Sequence, residues 1–259
     1  DVGVIIPAEK SEPDPAILAL DDLAIKVKIV NNHAKVSVRQ VFANRTGGVL
    51  EGTYNFSLPS RATISDFAVW DDVTRIPGVI MERKRAEELY NEIRMQSIDP
   101  GLLQQGEQTA EGVSKTSIFS ARVVPIPSWG NKRLEIEYQE RLPVENLQSY
   151  FAIPLRPDQY RVQQAAHVTI EFEVHSKHAI RVLTTPGKLF PVQTSEKTAN
   201  RVAGKFEGRN VSLNEDFVIQ YSLVSGAADR LELSSYKASA NEPGYFEASA
   251  LFRPTPAPA

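Results

Sequence analysis

Histidine and glutamate alternate along one predicted strand, where they could hold a metal ion. The polar positions of residues 166–175 include His167, Glu171, Glu173 and His175. Side chains two apart in a strand share a face and lie about 7 Å apart, so His167, Glu173 and His175 form a candidate zinc site. A structural zinc site needs four ligands, and no neighbouring segment supplies the rest. A solvated strand face is therefore favoured over a metal site.

Trp129 and two carboxylates nearby in the sequence point to a second chemistry, the binding or processing of carbohydrate. Trp129 lies in a predicted turn, where an exposed indole ring could anchor a partner. Glu135 and Glu137 lie on the polar face of the following strand. A glycosidase needs two carboxyl groups that face one cleft, which sequence alone does not show. A carbohydrate-binding module or an envelope-processing factor is the alternative function.

The chain lacks the common sequence motifs of catalysis. It contains no phosphate-binding loop, dinucleotide fingerprint, nucleophile elbow or HExxH pair. The acidic pairs Asp21-Asp22 and Asp71-Asp72 do not have the spacing of a calcium loop. The absence of cysteine excludes disulfides, thiol catalysis and cysteine-ligated metals. We predict a protein that is not an enzyme, with no catalytic residue, cofactor or metal.

Composition places the chain among globular proteins. It has 259 residues, of which 42% are hydrophobic and 24% are charged, values that are ordinary for a folded domain. The net charge of −3 and the scattered lysines and arginines argue against a nucleic-acid partner. No run approaches the roughly 20 apolar residues of a membrane helix, so no membrane span is expected in this segment.

Alternation of apolar and polar residues with period two dominates the sequence. It is found in residues 23–30, 53–58, 133–139, 166–175, 217–223 and 245–252. This pattern is typical of antiparallel strands with one buried and one solvated face. Asn31-Asn32 and Trp129-Gly130 predict tight turns between strands. The predicted fold class is mainly β: an antiparallel β-sandwich or barrel with one packed α-helix, and a second, smaller β-sandwich-like region.

One stretch, residues 81–97, has helical periodicity. Positions i, i+3, i+4 and i+7 of an apolar stripe are taken by Ala86, Leu89, Tyr90 and Ile93. Pro100 disfavours helix at the preceding residue, so the helix is expected to end there. Residues 104–116 are polar, contain two glycines and predict a mobile loop. The helix and this loop are the predicted contact surfaces for a partner.

The order of these segments resembles that of a VIT domain, the vault and inter-α-trypsin module. The resemblance runs from about Leu23 to Pro157. It is carried by Ile64-Ser65-Asp66-Phe67, Pro77-Gly78-Val79-Ile80, Glu82, Lys84, Ala86, Tyr90, Gly101-Leu102-Leu103, Phe119, Val123, Pro125, Leu134, Ile136, Tyr138, Glu140 and Leu142. Their order and spacing together make the match. The resemblance implies no catalytic residue in this module.

The resemblance also predicts how the chain is organised. We expect an N-terminal extended tail at 1–16, a VIT domain at 17–157, a second β-rich region at 158–253 and a Pro/Ala linker at 254–259. Similar proteins usually place a von Willebrand A domain after the VIT domain, and its D-x-S-x-S motif is not in this sequence. The expected partners are therefore a downstream A domain of the same chain and a separate protein, with a glycan as a further candidate.

The predicted function is a non-catalytic, extracytoplasmic scaffold or protein-interaction module that acts in adhesion or assembly. The chain starts at Asp1 without methionine, which we expect to result from removal of a signal peptide. The absence of cysteine favours a bacterial envelope or secreted protein over an animal heavy chain. Three N-x-S/T sequons lie at Asn44, Asn55 and Asn210, and their glycosylation depends on the host.

Overall fold

A computed structural model describes residues 3–59, 61–82, 102–108, 116–157, 160–224, 230–237, 239 and 241–251. In these residues the chain forms strands and no helix, and hence no helix that could cross a membrane. The strands are β1 (Val4–Pro7), β2 (Leu18–Val30), β3 (His33–Asn44), β4 (Leu50–Pro59), β5 (Ala62–Asp71), β6 (Thr74–Pro77), β7 (Val79–Glu82), β8 (Leu102–Gln108), β9 (Thr116–Ile126), β10 (Asn131–Arg141), β11 (Val144–Glu145), β12 (Gln148–Ile153), β13 (Gln164–His175), β14 (Ile180–Thr184), β15 (Gln193–Lys197), β16 (Arg201–Ser212), β17 (Phe217–Leu223), β18 (Arg230–Tyr236) and β19 (Tyr245–Leu251). The predicted mainly β fold is confirmed.

The described strands form three sheets and a hairpin. The largest sheet has eight strands in the order β15-β16-β13-β2-β3-β10-β5-β6. A five-stranded sheet has the order β1-β4-β9-β8-β7, and a four-stranded sheet has the order β11-β12-β17-β14. Strands β18 and β19 pair with each other. Neighbouring strands are antiparallel except β2 with β13 and β7 with β8, which are parallel.

The two smaller sheets pack on the inner face of the large one. Tyr54 of the five-stranded sheet lies 6.2 Å from Phe42 and 6.4 Å from Phe67, measured between ring centroids. Phe217 of the four-stranded sheet lies 6.3 Å from Phe172. The buried apolar side chains of all three sheets form one cluster. Strand alternation then directs the remaining side chains of the large sheet outward.

The large sheet contains strands from both sides of residue 157. Strand β13, from the predicted second region, pairs in parallel with β2 of the predicted VIT domain, from His167 opposite Asp22 to His175 opposite Val30. The two predicted regions thus share a sheet and a hydrophobic cluster. The division at 157/158 stays a prediction, and the predicted linker at 254–259 lies outside the described residues.

The N-terminal segment contributes to the core, which the prediction of an extended tail did not include. Strand β1 pairs with β4, and Val4 and Ile5 are buried. Gln40 Nε2 donates a hydrogen bond to the Gly3 carbonyl (2.9 Å), and the Tyr54 hydroxyl donates one to Gln40 Oε1 (2.6 Å). A Cβ atom at Gly3 would overlap the Tyr54 ring, so this close approach requires glycine.

The packed helix predicted for residues 81–97 is not borne out. Met81 and Glu82 belong to strand β7, which pairs with β8, and residues 83–97 lie outside the described residues. The loop predicted for residues 104–116 is also wrong where the structure describes it. Residues 104–108 belong to β8, and Thr116 begins β9. Backbone pairing with β7 and β9 places this polar segment in a sheet, because ladder hydrogen bonds do not require apolar side chains.

Both predicted turns are confirmed, but they connect different structures. Asn31 has φ of 56° and joins β2 to β3 as a hairpin within the large sheet. Trp129 has φ of 53°. It follows β9 of the five-stranded sheet and precedes β10 of the eight-stranded sheet. This second turn therefore carries the chain from one layer of the sandwich to the other.

Candidate interaction surfaces

The outer face of the eight-stranded sheet carries a dense set of paired charges. Outward residues lie opposite one another on neighbouring strands and two apart within a strand, so acids and bases meet both across and along the strands. The ion pairs include Asp22–Arg39 (3.0 Å), Lys35–Glu137 (2.9 Å), Arg133–Glu135 (3.2 Å), Arg201–Glu173 (3.1 Å), Lys205–Glu207 (3.1 Å) and Lys205–Glu171 (3.8 Å). We call this surface the charged face; its members are Asp22, Lys35, Arg39, Asp66, Arg75, Arg133, Glu135, Glu137, His167, Glu171, Glu173, His175, Arg201, Lys205 and Glu207.

His167 connects three strands of the charged face. Its Nδ1 lies 2.8 Å from Asp22 Oδ1 on β2, and its Nε2 lies 3.3 Å from Glu207 Oε1 on β16. The hydrogen bond with Asp22, and then that with Glu207, raises the pKa of His167 above its usual value. The protonated imidazolium bonds both carboxylates, so it links the strand of the predicted VIT domain to those of the second region.

Hydrogen bonds and nearby cations lower the pKa of two carboxylates of the charged face, Glu137 and Glu173. Burial alone would raise the pKa of Glu137, but hydrogen bonds from Lys35 and Ser65 bring that pKa below its usual value. The hydrogen bond with His175, with Arg201 nearby, lowers the pKa of Glu173 in the same way. At neutral pH the face therefore presents fixed charges of both signs.

A groove of about 470 Å³ crosses the middle of the charged face. The small side chains of Ala24, Ser37 and Thr169 lie among longer ones such as Lys26 and Arg39. Lys26 is exposed, which leaves its ammonium group accessible to a partner. Because the groove carries both positive and negative groups, it would select a partner by the arrangement of charge.

The structure does not assemble the candidate zinc site. Glu173 and His175 are in contact, but His167 lies six and eight residues earlier in the same strand, roughly 20–26 Å away. His167 has its own partners, Asp22 and Glu207. The described residues contain no group of three or more histidine, aspartate or glutamate side chains that could hold a metal.

Trp129 is exposed, but the two carboxylates proposed to act with it are engaged elsewhere. Its side chain is in a turn and the residue is 72% exposed. Glu135 lies four residues inside β10, roughly 13 Å along the strand from its start, and pairs with Arg133 and Arg75. Glu137 pairs with Lys35. These contacts place both carboxylates in the charged face rather than in a cleft beside Trp129.

The three sequons differ in accessibility. Asn44 is 3% exposed, its Nδ2 donates to the Gly48 carbonyl (2.8 Å) and its Oδ1 accepts from the Thr46 amide (2.9 Å). Asn55 is half-buried and accepts a hydrogen bond from Ser120. Asn210 is exposed. The folded chain thus uses Asn44 structurally, and Asn210 is the most accessible of the three.

A second surface, on the outer face of the four-stranded sheet, was missed by sequence reasoning. Gln220 lies opposite Tyr150 on one side and Thr184 on the other. The adjacent row consists of Gln148, Ser222 and Val182. We call these six residues the neutral face. They line a cavity of about 530 Å³. The alternation over residues 148–153 could have predicted β12, but not its neighbours in the sheet.

One carboxylate of the C-terminal hairpin, that of Glu247, forms ion pairs with two residues of the large sheet. Glu247 Oε1 lies 2.8 Å from Arg141 Nη2 in an ion pair, and Glu247 Oε2 lies 3.3 Å from His33 Nε2. Elsewhere the hairpin exposes large apolar side chains, including Tyr245 and Phe246. His33, the first residue of β3, is thus a contact residue of this hairpin.

Comparison with known proteins identifies relatives of part of the chain. Inter-alpha-trypsin inhibitor heavy chain H1 from Bos taurus is 22% identical over 192 residues, which are 74% of this chain and 20% of that protein. Protein mono-ADP-ribosyltransferase PARP4 from Homo sapiens is 25% identical over 138 residues, 53% of this chain and 8% of that protein. The chain therefore spans a fifth or less of the length of these two relatives.

A solved structure from Legionella pneumophila, described provisionally as a nutrient binding protein, has a TM-score of 0.52 and 10% sequence identity. The match covers 85% of this chain and 71% of that one, and at this identity it shows a likeness of fold alone. Residues 20–138 match the family described as the vault protein inter-alpha-trypsin domain. This match confirms, for residues 20–138, the resemblance to a VIT domain found in the sequence, and the inter-alpha-trypsin inhibitor heavy chains are among the proteins similar to this chain.

Proposed function

We propose that this chain is a non-catalytic protein-interaction module, the N-terminal part of a VIT–von Willebrand A type protein that acts in adhesion or assembly outside the cytoplasm. The observation that carries the proposal is the VIT match over residues 20–138. Strands β3 and β5 lie within that span, β2 and β10 lie mostly within it, and these four strands supply much of the charged face and its groove. The homology with heavy chains supports an interaction module rather than an enzyme.

The charged face is suited to recognise a protein because its side chains are already ordered by mutual pairing. A partner that docks there does not have to immobilise long, free side chains, which otherwise costs about 0.5–1.5 kcal/mol each. Lys26 is exposed at the groove and adds a positive charge beside the paired ones. The partner, either a following A domain or a separate protein, would offer an acidic group to Lys26 within a matching pattern of charge.

A pull-down with the purified chain tests this function. The chain is immobilised and incubated with the extracytoplasmic fraction of its source cells at low and high salt. A single protein should be retained at low salt and weakened at high salt, because exposed charge pairs are screened. Lys26→Glu should abolish retention by placing a like charge against the partner.

Lys177→Glu is the matched control, because Lys177 is also exposed but lies in the turn after β13, away from the groove. It should bind as the unaltered chain does. Retention that survives Lys26→Glu, or the absence of any retained protein at either salt concentration, would overturn the proposal.

A further inference from the structure

We propose that the neutral face binds a neutral oligosaccharide, independently of the protein partner assigned to the charged face. A sugar ring presents an apolar face of C–H groups and a rim of hydroxyls. Its recognition therefore calls for an aromatic ring beside uncharged hydrogen-bonding groups. The neutral face combines these elements on three adjacent strands, β12, β17 and β14.

Tyr150 supplies the aromatic surface. It projects from β12 on the outer side of the sheet and is 51% exposed, so much of its ring is free to lie against a ligand. Tyrosine offers a rigid apolar ring together with a hydroxyl that hydrogen-bonds at its edge. Its neighbours in the sequence, Ser149 and Phe151, point inward and are buried, which fixes the position of the strand below it.

The hydrogen-bonding groups lie directly beside this ring. Gln220 is the cross-strand partner of Tyr150, and Thr184 is the next partner across β14. Partners of this kind have Cβ atoms about 4.5–5.5 Å apart, so the three side chains form a row about the width of two sugar rings. Gln148 and Ser222 form a parallel row.

These polar groups are not used to hold the protein together. Among the described residues, the side chains of Gln148, Thr184 and Gln220 make no hydrogen bond to another residue. The inward-facing Tyr221 is different, since its hydroxyl donates to the Asn31 carbonyl at 2.7 Å. The amides and hydroxyl of the neutral face are therefore available to a ligand, whereas the inward groups serve the fold.

Charge decides which saccharide fits. Among the described residues that line the 530 Å³ cavity, Glu145 alone carries a charge at neutral pH. A carboxylated or sulfated saccharide would find no cation here and would be repelled by Glu145. The volume lies within the roughly 300–1,000 Å³ of small-molecule sites, which suits a short stretch of a neutral polymer.

Protein-observed NMR titration of the whole chain tests the proposal. The probes are maltohexaose, cellohexaose and laminarihexaose, with an oligogalacturonate as the acidic comparison. At least one neutral probe should shift the amide signals of Tyr150, Thr184 and Gln220. The oligogalacturonate should leave these signals in place.

Three variants locate the binding chemistry. Tyr150→Ala should weaken the apparent affinity at least about tenfold, as expected for loss of a central aromatic contact. Tyr150→Phe should stay within about threefold, since the ring is kept. Tyr245→Ala removes a tyrosine of the C-terminal hairpin that is more exposed than Tyr150 and should change nothing. Circular dichroism checks that each variant is folded.

The proposal is overturned if none of the three neutral probes shifts these signals at about 10 mM, the weak end of specific binding. It is also overturned if binding survives Tyr150→Ala, or if the acidic probe binds equally well. If a protein from the pull-down contacts Tyr150, the neutral face binds a polypeptide and not a saccharide, which also overturns the proposal. Lys26→Glu should leave the NMR result unchanged, so failure of one proposal is distinguishable from failure of the other.

Discussion

The outer faces of the eight-stranded and four-stranded sheets are built on the same hydrophobic cluster but differ in chemistry. The charged face pairs acids with bases across strands, as in Asp22 with Arg39 and Lys35 with Glu137. The neutral face instead carries amides, hydroxyls, a valine and one tyrosine. In both cases the inward residues alternate with the outward ones. The fold thus constrains one side of each sheet and leaves the other free for recognition.

Because the two faces differ in chemistry, they should bind different kinds of ligand and respond differently to salt and pH. Paired charges respond to salt and pH, because screening and protonation alter their interactions. Amides and hydroxyls respond to neither over the physiological range. Binding on the charged face should therefore be conditional, and binding on the neutral face should persist across conditions.

The largest expected effect tests whether the two faces depend on one core. Phe217 is 2% exposed and lies 6.3 Å from Phe172 and 6.1 Å from Phe190, between ring centroids. Phe217→Ala should lower the free energy of unfolding by about 3–5 kcal/mol, through lost burial and the cavity that remains. Urea denaturation followed by circular dichroism measures this loss.

The Phe217→Ala variant also tests whether the two faces belong to one folding unit. If the sheets form one cooperative unit, fluorescence of Trp70 on the large sheet, recorded in a Trp129→Phe background, and circular dichroism should report the same unfolding midpoint. If the four-stranded sheet unfolds alone while Trp70 keeps its native signal, the two faces belong to separately folding units. Val182→Ala, on the exposed outer face of the same sheet, is the control and should cost well under 1 kcal/mol.

The second largest effect concerns Glu140, a carboxylate on the inner side of β10. Its pKa is shifted in the opposite direction from that of Glu137 on the charged face. Glu140 is 8% exposed, and its Oε2 has no hydrogen-bond partner among the described residues. Burial raises its pKa, partly offset by Arg61. Glu140→Gln removes a poorly solvated charge and should stabilise the chain at pH 7 by about 1 kcal/mol.

The pH dependence follows from the direction of that shift. Between the unfolded and the raised folded pKa the native chain binds more protons, so stability falls as pH rises through this window. The gain from Glu140→Gln should disappear at about pH 3.5, where the carboxyl is protonated in both states. Glu137→Gln is the matched contrast: its pKa is lowered, so this variant should be destabilised at pH 7. A destabilised Glu140→Gln at pH 7 would contradict the argument.

Sequence reasoning predicted the strands with clear alternation, including β2, β10 and β13. A sheet with one solvated face has alternating apolar and polar residues along each strand, and this pattern is visible in the sequence. It missed β8, whose polar residues leave no apolar face to detect. It also missed the pairing of β2 with β13, since register between distant segments is set by the whole fold. For the same reason it described His167 as a solvated residue and could not name Asp22 and Glu207 as its partners.

His167 gives the third effect, confined to the charged face. Its pKa is raised, so its contribution to stability is fully present below the usual value of 6.5. That contribution is lost as pH rises through the folded pKa. Because the side chain is 35% exposed, His167→Gln should cost at most about 1 kcal/mol at about pH 5.5. Chemical denaturation at this pH and at about pH 9 measures the difference, which should vanish at the higher value.

Equal losses at both pH values for His167→Gln would show that the side chain acts by packing and not by its charge. In that case the contacts of His167 with Asp22 on β2 and Glu207 on β16 would contribute nothing to stability through charge.

The smallest effect compares one cross-strand pair from each face. Lys205 and Glu171 are 3.8 Å apart and nearly half exposed, so a double-mutant cycle to alanine should give a coupling of about 0.2–0.5 kcal/mol. Gln148 and Ser222 are also cross-strand partners, but neither is charged. In 1 M salt, with a screening length of about 3 Å, the first coupling should fall towards zero and the second should keep its value. If both couplings fall alike, salt acts on the sheets as a whole, and charge is not what distinguishes the two faces.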